Sequence, residues 1–228
     1  MKYYNTREAI FIKRPNRFIA HVLLDGKEEI VHVRNTGRCR EILKEGTKVI
    51  LEEAKNPNRK TAYSLIAAYK GNMLINIDSQ VPNAVVFDGI KEGKIQLLSG
   101  VKYLKREVSY GNSRFDIFFK RNNHKGYIEV KGVTLEENGI AMFPDAPTER
   151  GRKHLIEMAA AVSEGYEGYV IFLIQFKGAK YFSPNVNMDP EFANALSYCA
   201  EKGVKVLSYD SVVTEDEITI SEGIKVVL

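Results

Sequence analysis

The sequence predicts an α/β (α+β) protein in two parts, a small OB-like β-barrel over residues 1–80 and then, over residues 81–228, a central mixed sheet flanked by helices. Three observations lead there. The first eighty residues divide into short apolar-alternating runs separated by turn signals, the inventory of a small barrel. After Asp78 the pattern becomes helix, three strands, helix, strand, helix, strand, and the later strands are almost continuously apolar. The 228 residues, 44% hydrophobic and 27% charged, carry enough apolar mass for a real core and more length than one minimal domain.

Taken in order, Phe18, Ala20, Val22 and Leu24 alternate with Ile19, His21 and Leu23, and residues 30–33 follow an Asp25-Gly26 turn, which reads as a hairpin. A loop at Asn35-Thr36-Gly37-Arg38 leads into a short helical stretch near residues 41–44 that Gly46 ends. Strands are expected at 48–54, 62–69 and 73–77, parted by Asn56-Pro57-Asn58 and Lys70-Gly71-Asn72. An SH3-like barrel would use the same inventory. In the second part Pro82 opens a helix that Gly93 closes. Strands follow at about 101–109, 113–120, 126–133 and 140–143. Leu155, Ile156, Met158, Ala159 and Val162 give residues 148–163 one apolar helical face. A buried strand at 168–176, a helix at 190–202 and a strand at 204–209 complete the pattern. No low-complexity linker intervenes, so the two parts are expected to pack closely near residue 80.

Several classes are excluded. No run approaches the ~18–20 apolar residues of a membrane span, and the first residues lack the apolar stretch of a signal peptide. Cys39 and Cys199 stand far apart without ligand-spaced partners, which suits reduced thiols and a cytoplasmic protein with no membrane partner. The net charge of +4 hides an asymmetry. Residues 1–80 hold 15 basic and 9 acidic side chains, residues 102–125 hold 7 and 2, and residues 126–228 hold 9 and 16. One basic face meeting a polyanion would produce this, and so would a scatter of solvated charge.

The sharpest local feature is Tyr127-Ile128-Glu129-Val130-Lys131-Gly132. On a strand Glu129 and Lys131 share a face, opposite Ile128 and Val130. On the preceding strand Phe115, Ile117 and Phe119 are expected in the core, leaving Arg114 and Asp116 on the other face, so that Asp116, Glu129 and Lys131 converge. Glu107 could add a fourth group. Two carboxylates, Asp116 and Glu129, suit Mg²⁺ or Mn²⁺ bridged to phosphate, and a lysine beside them could stabilise developing negative charge. An Asp…Glu-x-Lys set on these strands looks like the PD-(D/E)xK nuclease core. A surface salt bridge is the bland reading of the same pair.

Two basic clusters accompany it. Phe143-Pro144-Asp145-Ala146-Pro147-Thr148-Glu149-Arg150-Gly151-Arg152-Lys153-His154 sets Arg150, Arg152, Lys153 and His154 at a helix start that Thr148 or Asp145 can cap. Cations are not what the helix dipole favours there, so they want an anionic partner, inside or outside the chain. Val33-Arg34-Asn35-Thr36-Gly37-Arg38-Cys39-Arg40, with Arg14 and Arg17 upstream, suggests a turn from which arginines project along a nucleic-acid backbone. Tyr3, Tyr4, Phe11 and Phe18 could stack bases or fill the core.

These strings, with Gln80-Val81-Pro82-Asn83, Glu107 through Asp116, and Tyr127 through Leu135, run in order across most of the chain. Together they resemble the sugar fermentation stimulation protein family (SfsA), with Arg34 where that family usually has Pro. The resemblance implies an N-terminal OB-like domain and a C-terminal PD-(D/E)xK nuclease-like domain. It also implies non-specific DNA binding and a role in regulating sugar (maltose) utilisation. A Mg²⁺- or Mn²⁺-dependent nuclease is the alternative, with Asp116 and Glu129 as ligands, Lys131 at the scissile phosphate and Glu107 as auxiliary acid. DNA binding would then fall to Arg14, Arg17, Arg34, Asn35, Arg38, Arg40, Arg114, Arg150, Arg152, Lys153 and His154. Nothing in the sequence offers a Gly-rich phosphate loop, a Ser–His–acid set or a Trp for sugar stacking. The number of chains in the assembly stays open, a homodimer among the options.

Overall fold

Alternating apolar residues at the front of the chain close on themselves. The computed structural model describes residues 1–228. Strands β1 (Thr6–Lys13), β2 (Ile19–Leu24), β3 (Lys27–Val33), β4 (Lys48–Glu53), β5 (Tyr63–Lys70) and β6 (Met73–Asn76) form one sheet in the order β3-β2-β1-β4-β5-β6. Parallel pairing of His32 with Ser64 and Val33 with Leu65 joins β3 to β5 and closes five strands into the barrel. Phe11, Val22, Val31, Val49, Leu51 and Leu65 fill it.

Two local features differ from the sequence expectation. β1 has no period-2 signal, because the outward-facing Ile10 and Ile12 alternate with the buried Ala9 and Phe11. Residues 41–44 are not helical. Ile42 and Leu43 both donate to the Cys39 carbonyl in a turn that buries their side chains.

The second part comprises α1 (Pro82–Lys91), β7 (Tyr103–Tyr110), β8 (Ser113–Arg121), β9 (His124–Val133), β10 (Leu135–Glu137), β11 (Ile140–Phe143), α2 (Glu149–Ser163), β12 (Glu167–Ile174), β13 (Tyr181–Pro184), α3 (Pro190–Glu201), β14 (Lys205–Val213) and β15 (Ile218–Ile224). Its main sheet runs β15-β14-β12-β9-β8-β7, with β9, β12 and β14 parallel and the flanking strands antiparallel. Tyr169 through Ile174 on the central strand have no exposed surface, as a strand covered on both faces requires. α1 packs with Ile117, Ile128 and Tyr169 on one face. α2 and α3 pack with Tyr127, Val170 and Phe172 on the other. The short β13, which ends in Pro184, and the polar β15 carried too little apolar pattern to be expected.

The two parts share their apolar packing. Ile50, Ile66 and Ala67 on the outside of the barrel belong to the same cluster as Val85 and Val86 of α1. Gln175 Nε2 donates to Asn76 Oδ1 at 2.9 Å and to the Asp78 carbonyl at 3.1 Å, pinning the crossing point. The first residues of the chain bridge the two parts: the Met1 amine donates to the Ile218 carbonyl at 2.9 Å and Tyr3 N to the Asp216 carbonyl, while Tyr4 N donates to Glu52 Oε1 on β4 at 3.0 Å. Both cysteines are buried and unpaired. No helix is long and apolar enough to cross a membrane.

Candidate active site and nucleic-acid interface

The site exists because two strands part. The β8–β9 ladder runs from Arg121/His124 to Ile117/Ile128 and stops there. Beyond it Asp116 Oδ2 takes the place of a backbone acceptor, receiving the Val130 N–H at 2.7 Å. Strand parity fails at the same point. Phe115 and Phe118, three residues apart, both pack on Tyr127, with ring centroids 5.1 and 5.3 Å away. Ile117 and Phe119 face α1 instead. The expectation that Phe115, Ile117 and Phe119 share one face is therefore corrected: the strand turns over at Asp116. That irregularity swings the carboxylate into the gap between β8 and β9. There Asn83, in the first turn of α1, donates to Oδ1 at 2.7 Å.

Glu129 is 2% exposed. Its Oε1 accepts from Lys131 Nζ at 2.6 Å and lies 2.6 Å from His154 Nδ1 on α2. Its Oε2 is buried and has no hydrogen-bond partner. Burial works to raise the Glu129 pKa, but the bonds from His154 and Lys131 outweigh it and hold the group below the usual carboxylate range. Asp116 moves the other way, pushed up to about 6 by burial and then by the Glu129 charge. A buried carboxylate oxygen with no donor, next to a second carboxyl that resists ionising, is a site short of positive charge. A divalent cation fits that deficit. No group of three or more His, Cys, Asp or Glu side chains gathers as a ligand set. The protein donors on hand are thus two hard carboxylates, a set suited to Mg²⁺ that keeps water and phosphate oxygens in its remaining positions.

Glu107 does not join the pair. It has a left-handed backbone (φ 55°), is exposed, and lies 3.5 Å from Arg114. His154 was expected at a phosphate but is buried behind Glu129, which it positions. Asn83 was missed as a site residue. Its sequence string was noticed, but its contact with Asp116 depends on α1 crossing the strand ends.

The cations divide into committed and free. Arg34 does not project. Its guanidinium lies 2.5 Å from Glu52 and 3.2 Å from Asp78, which is itself 1% exposed. Arg14 spends both terminal nitrogens on the carbonyls of Arg17, Asn35, Gly37 and Arg38. Asn35 bonds Ile77 and Gly37. These three residues build the loop that was expected to display them. Arg152 pairs with Glu191, and Lys153 donates to the Asn112 carbonyl at 3.2 Å. Arg17, Arg38, Arg40 and Arg150 are exposed and have no carboxylate partner. Tyr3 and Phe11 are core, whereas Tyr4 and Phe18 are 56% and 55% exposed. A Cβ on Gly37 would meet Asp145 Oδ2 at 2.6 Å, so the barrel loop touches the segment leading into α2. Thr148 caps that helix, accepting from Gly151 N at 3.1 Å. Arg17, Arg38 and Arg40 line one hollow of the barrel, and Gly37 in the same hollow abuts the segment that leads to Arg150.

Comparison with known proteins agrees along the whole chain. Residues 12–77 match the model of the sugar fermentation stimulation protein N-terminal OB domain, and residues 80–217 match that of the sugar fermentation stimulation protein RE domain. A sugar fermentation stimulation protein homolog of Alkaliphilus oremlandii is 55% identical, covering 99% of this chain and 98% of its own. Another from Clostridium novyi is 53% identical over 100% of both. The structure of Pyrococcus furiosus SfsA in complex with Ca²⁺ superposes with a TM-score of 0.91 at 25% identity, covering 100% of this chain and 98% of that one.

Proposed function

The chain belongs to the sugar fermentation stimulation protein family, and from that premise we propose that it binds DNA without sequence preference, through the phosphodiester backbone. The observation that carries this reading is the barrel hollow lined by Arg17, Arg38 and Arg40, which are exposed and free of carboxylate partners, as is Arg150 at the start of α2. Cations left unpaired on a protein rich in carboxylates are suited to phosphates, and such contacts read charge rather than sequence. The work proposed is cytoplasmic, and its regulatory target is sugar (maltose) utilisation.

A second reading, divalent-metal-dependent phosphodiester hydrolysis, is favoured by the unpartnered Glu129 Oε2 beside Asp116. Asp116 and Glu129 would hold Mg²⁺ or Mn²⁺, and the Ca²⁺ named for the Pyrococcus relative is a cation of the same hard, oxygen-seeking kind. Bound there, the ion would supply Lewis-acid stabilisation of charge on the scissile phosphate. Lys131 brings a fixed ammonium to the same volume. His154 holds Glu129 in place, and Asn83 does the same for Asp116.

Both readings meet one experiment. Duplex DNA of arbitrary sequence is titrated at 50 and 200 mM salt, and the same protein is then incubated with supercoiled, linear and single-stranded DNA plus Mg²⁺ or Mn²⁺. Four phosphate contacts predict a loss of about two orders of magnitude in affinity between the two salts. Binding that ignores salt, or none at 50 mM, would defeat the first reading. Cleavage that survives Asp116→Ala, or no cleavage of any form with either metal, would defeat the second.

A further inference from the structure

The outer strands of the main sheet carry a second feature that the duplex path does not use. Cross-strand register places Tyr103, Lys120 and Lys125 in one row, and Lys105, Phe118 and Tyr127 in the next. Successive rows on one face lie about 7 Å apart, so the two form a short track of cations and rings. The track is a cleft of about 310 Å³ beside edge strand β7, and Tyr166, after α2, forms part of its wall.

Its chemistry is specific. Lys105, Lys120 and Lys125 are all exposed, and none has a carboxylate partner. Lys125 lies 4.6 Å from the centre of the Tyr166 ring and Lys120 lies 5.5 Å from that of Tyr103. Tyr103 is 47% exposed on the track. Glu164 lies close enough to Tyr110 to raise the pKa of its hydroxyl, after burial. Unpaired lysines alternating with aromatic faces are the means by which proteins hold single strands, since phosphates meet the cations and unstacked bases meet the rings. A duplex keeps its bases stacked inside and cannot use the rings.

We infer that this lysine–aromatic track holds a single-stranded DNA segment. The inference rests on the DNA-binding reading above and names the strand form that this face would take. It puts duplex on the arginine surface and single strand on the track, so the two surfaces are separable by mutation.

The test is fluorescence anisotropy of the full-length protein with a labelled single-stranded oligonucleotide and its duplex, in EDTA. Three proteins are compared: wild type, Lys120→Glu/Lys125→Glu, and Arg17→Glu/Arg38→Glu. The lysine variant should lose at least about tenfold in single-strand affinity, with its salt slope lowered by about 1.4, while duplex affinity changes less than about threefold. The arginine variant should show the reverse preference. Tyr103→Ala, which changes no charge, should cost about tenfold for the single strand alone. Equal loss for both DNA forms in the lysine variant, or no loss for the single strand, would overturn the track. So would a wild type that binds duplex and ignores single strands. A wild type that binds neither would remove the DNA reading itself.

Discussion

Asp116→Asn tests whether the site is short of positive charge. A carboxyl whose native pKa lies above its unfolded value costs the fold stability once it ionises. The cost is absent well below the unfolded value of 3.8 and complete above about 6. The shift of about two units corresponds to about 3 kcal/mol at neutral pH. Asparagine removes that cost at every pH. It also places an amide donor against Asn83 Nδ2 or the Val130 N–H, a mismatch of about 1–3 kcal/mol that does not vary with pH. The pH dependence therefore isolates the electrostatic part. Urea unfolding of both proteins in EDTA should show the variant gaining about 2 kcal/mol relative to wild type between pH 4 and pH 7.5. Excess Mg²⁺ should then raise the wild-type midpoint at pH 7.5 and leave the variant's unmoved, because a cation binding only the native state adds stability. A stability difference that stays flat across this pH window would refute the reasoning, as would one that falls.

Arg34→Ala leaves Asp78 and Glu52 facing one another in the barrel wall without their common cation. It should cost about 3–5 kcal/mol in urea unfolding, with duplex affinity of the folded variant within about threefold of wild type. A stable variant with much weakened DNA binding would make Arg34 a DNA contact after all. Gly126→Ala would bring a Cβ to 2.3 Å from the Glu167 carbonyl and 2.7 Å from the Phe119 ring, where paired strands have no room to shift. A loss of about 2–4 kcal/mol is expected, read as a fall of several degrees in Tm; a neutral substitution would contradict the packing of β9 on β12.

Much of the molecule was legible in the chain. Helix starts at Pro82 and Thr148 were readable because capping chemistry lies within a few residues of the backbone it serves. The barrel strands from Ile19 to Asn76 were readable because each is a short apolar run bounded by turn signals, and β1 was hidden because charged residues begin and end it. At the site, Glu129 and Lys131 were expected side by side because residues two apart on a strand share a face, and they are. Asp116 arrives beside them by a different route. The regular alternation used to put it there breaks at that residue, and the break itself turns its carboxylate inward.

What the sequence determined alone is therefore what local periodicity and spacing can carry: the order of the strongly apolar strands and the three helices, the barrel ahead of the mixed sheet, and the Glu-x-Lys face. Only the tertiary structure decided which charges are available. Arg34 and Arg152 looked as free as Arg38 and Arg150, but their partners lie 18–44 residues away in the chain. The same holds for Glu129 Oε2, left without a donor among buried neighbours, and for the track of Lys105, Lys120 and Lys125, set in line by the register of three strands. Ion pairing and burial depend on distance through space, and a single chain encodes that only through the completed fold.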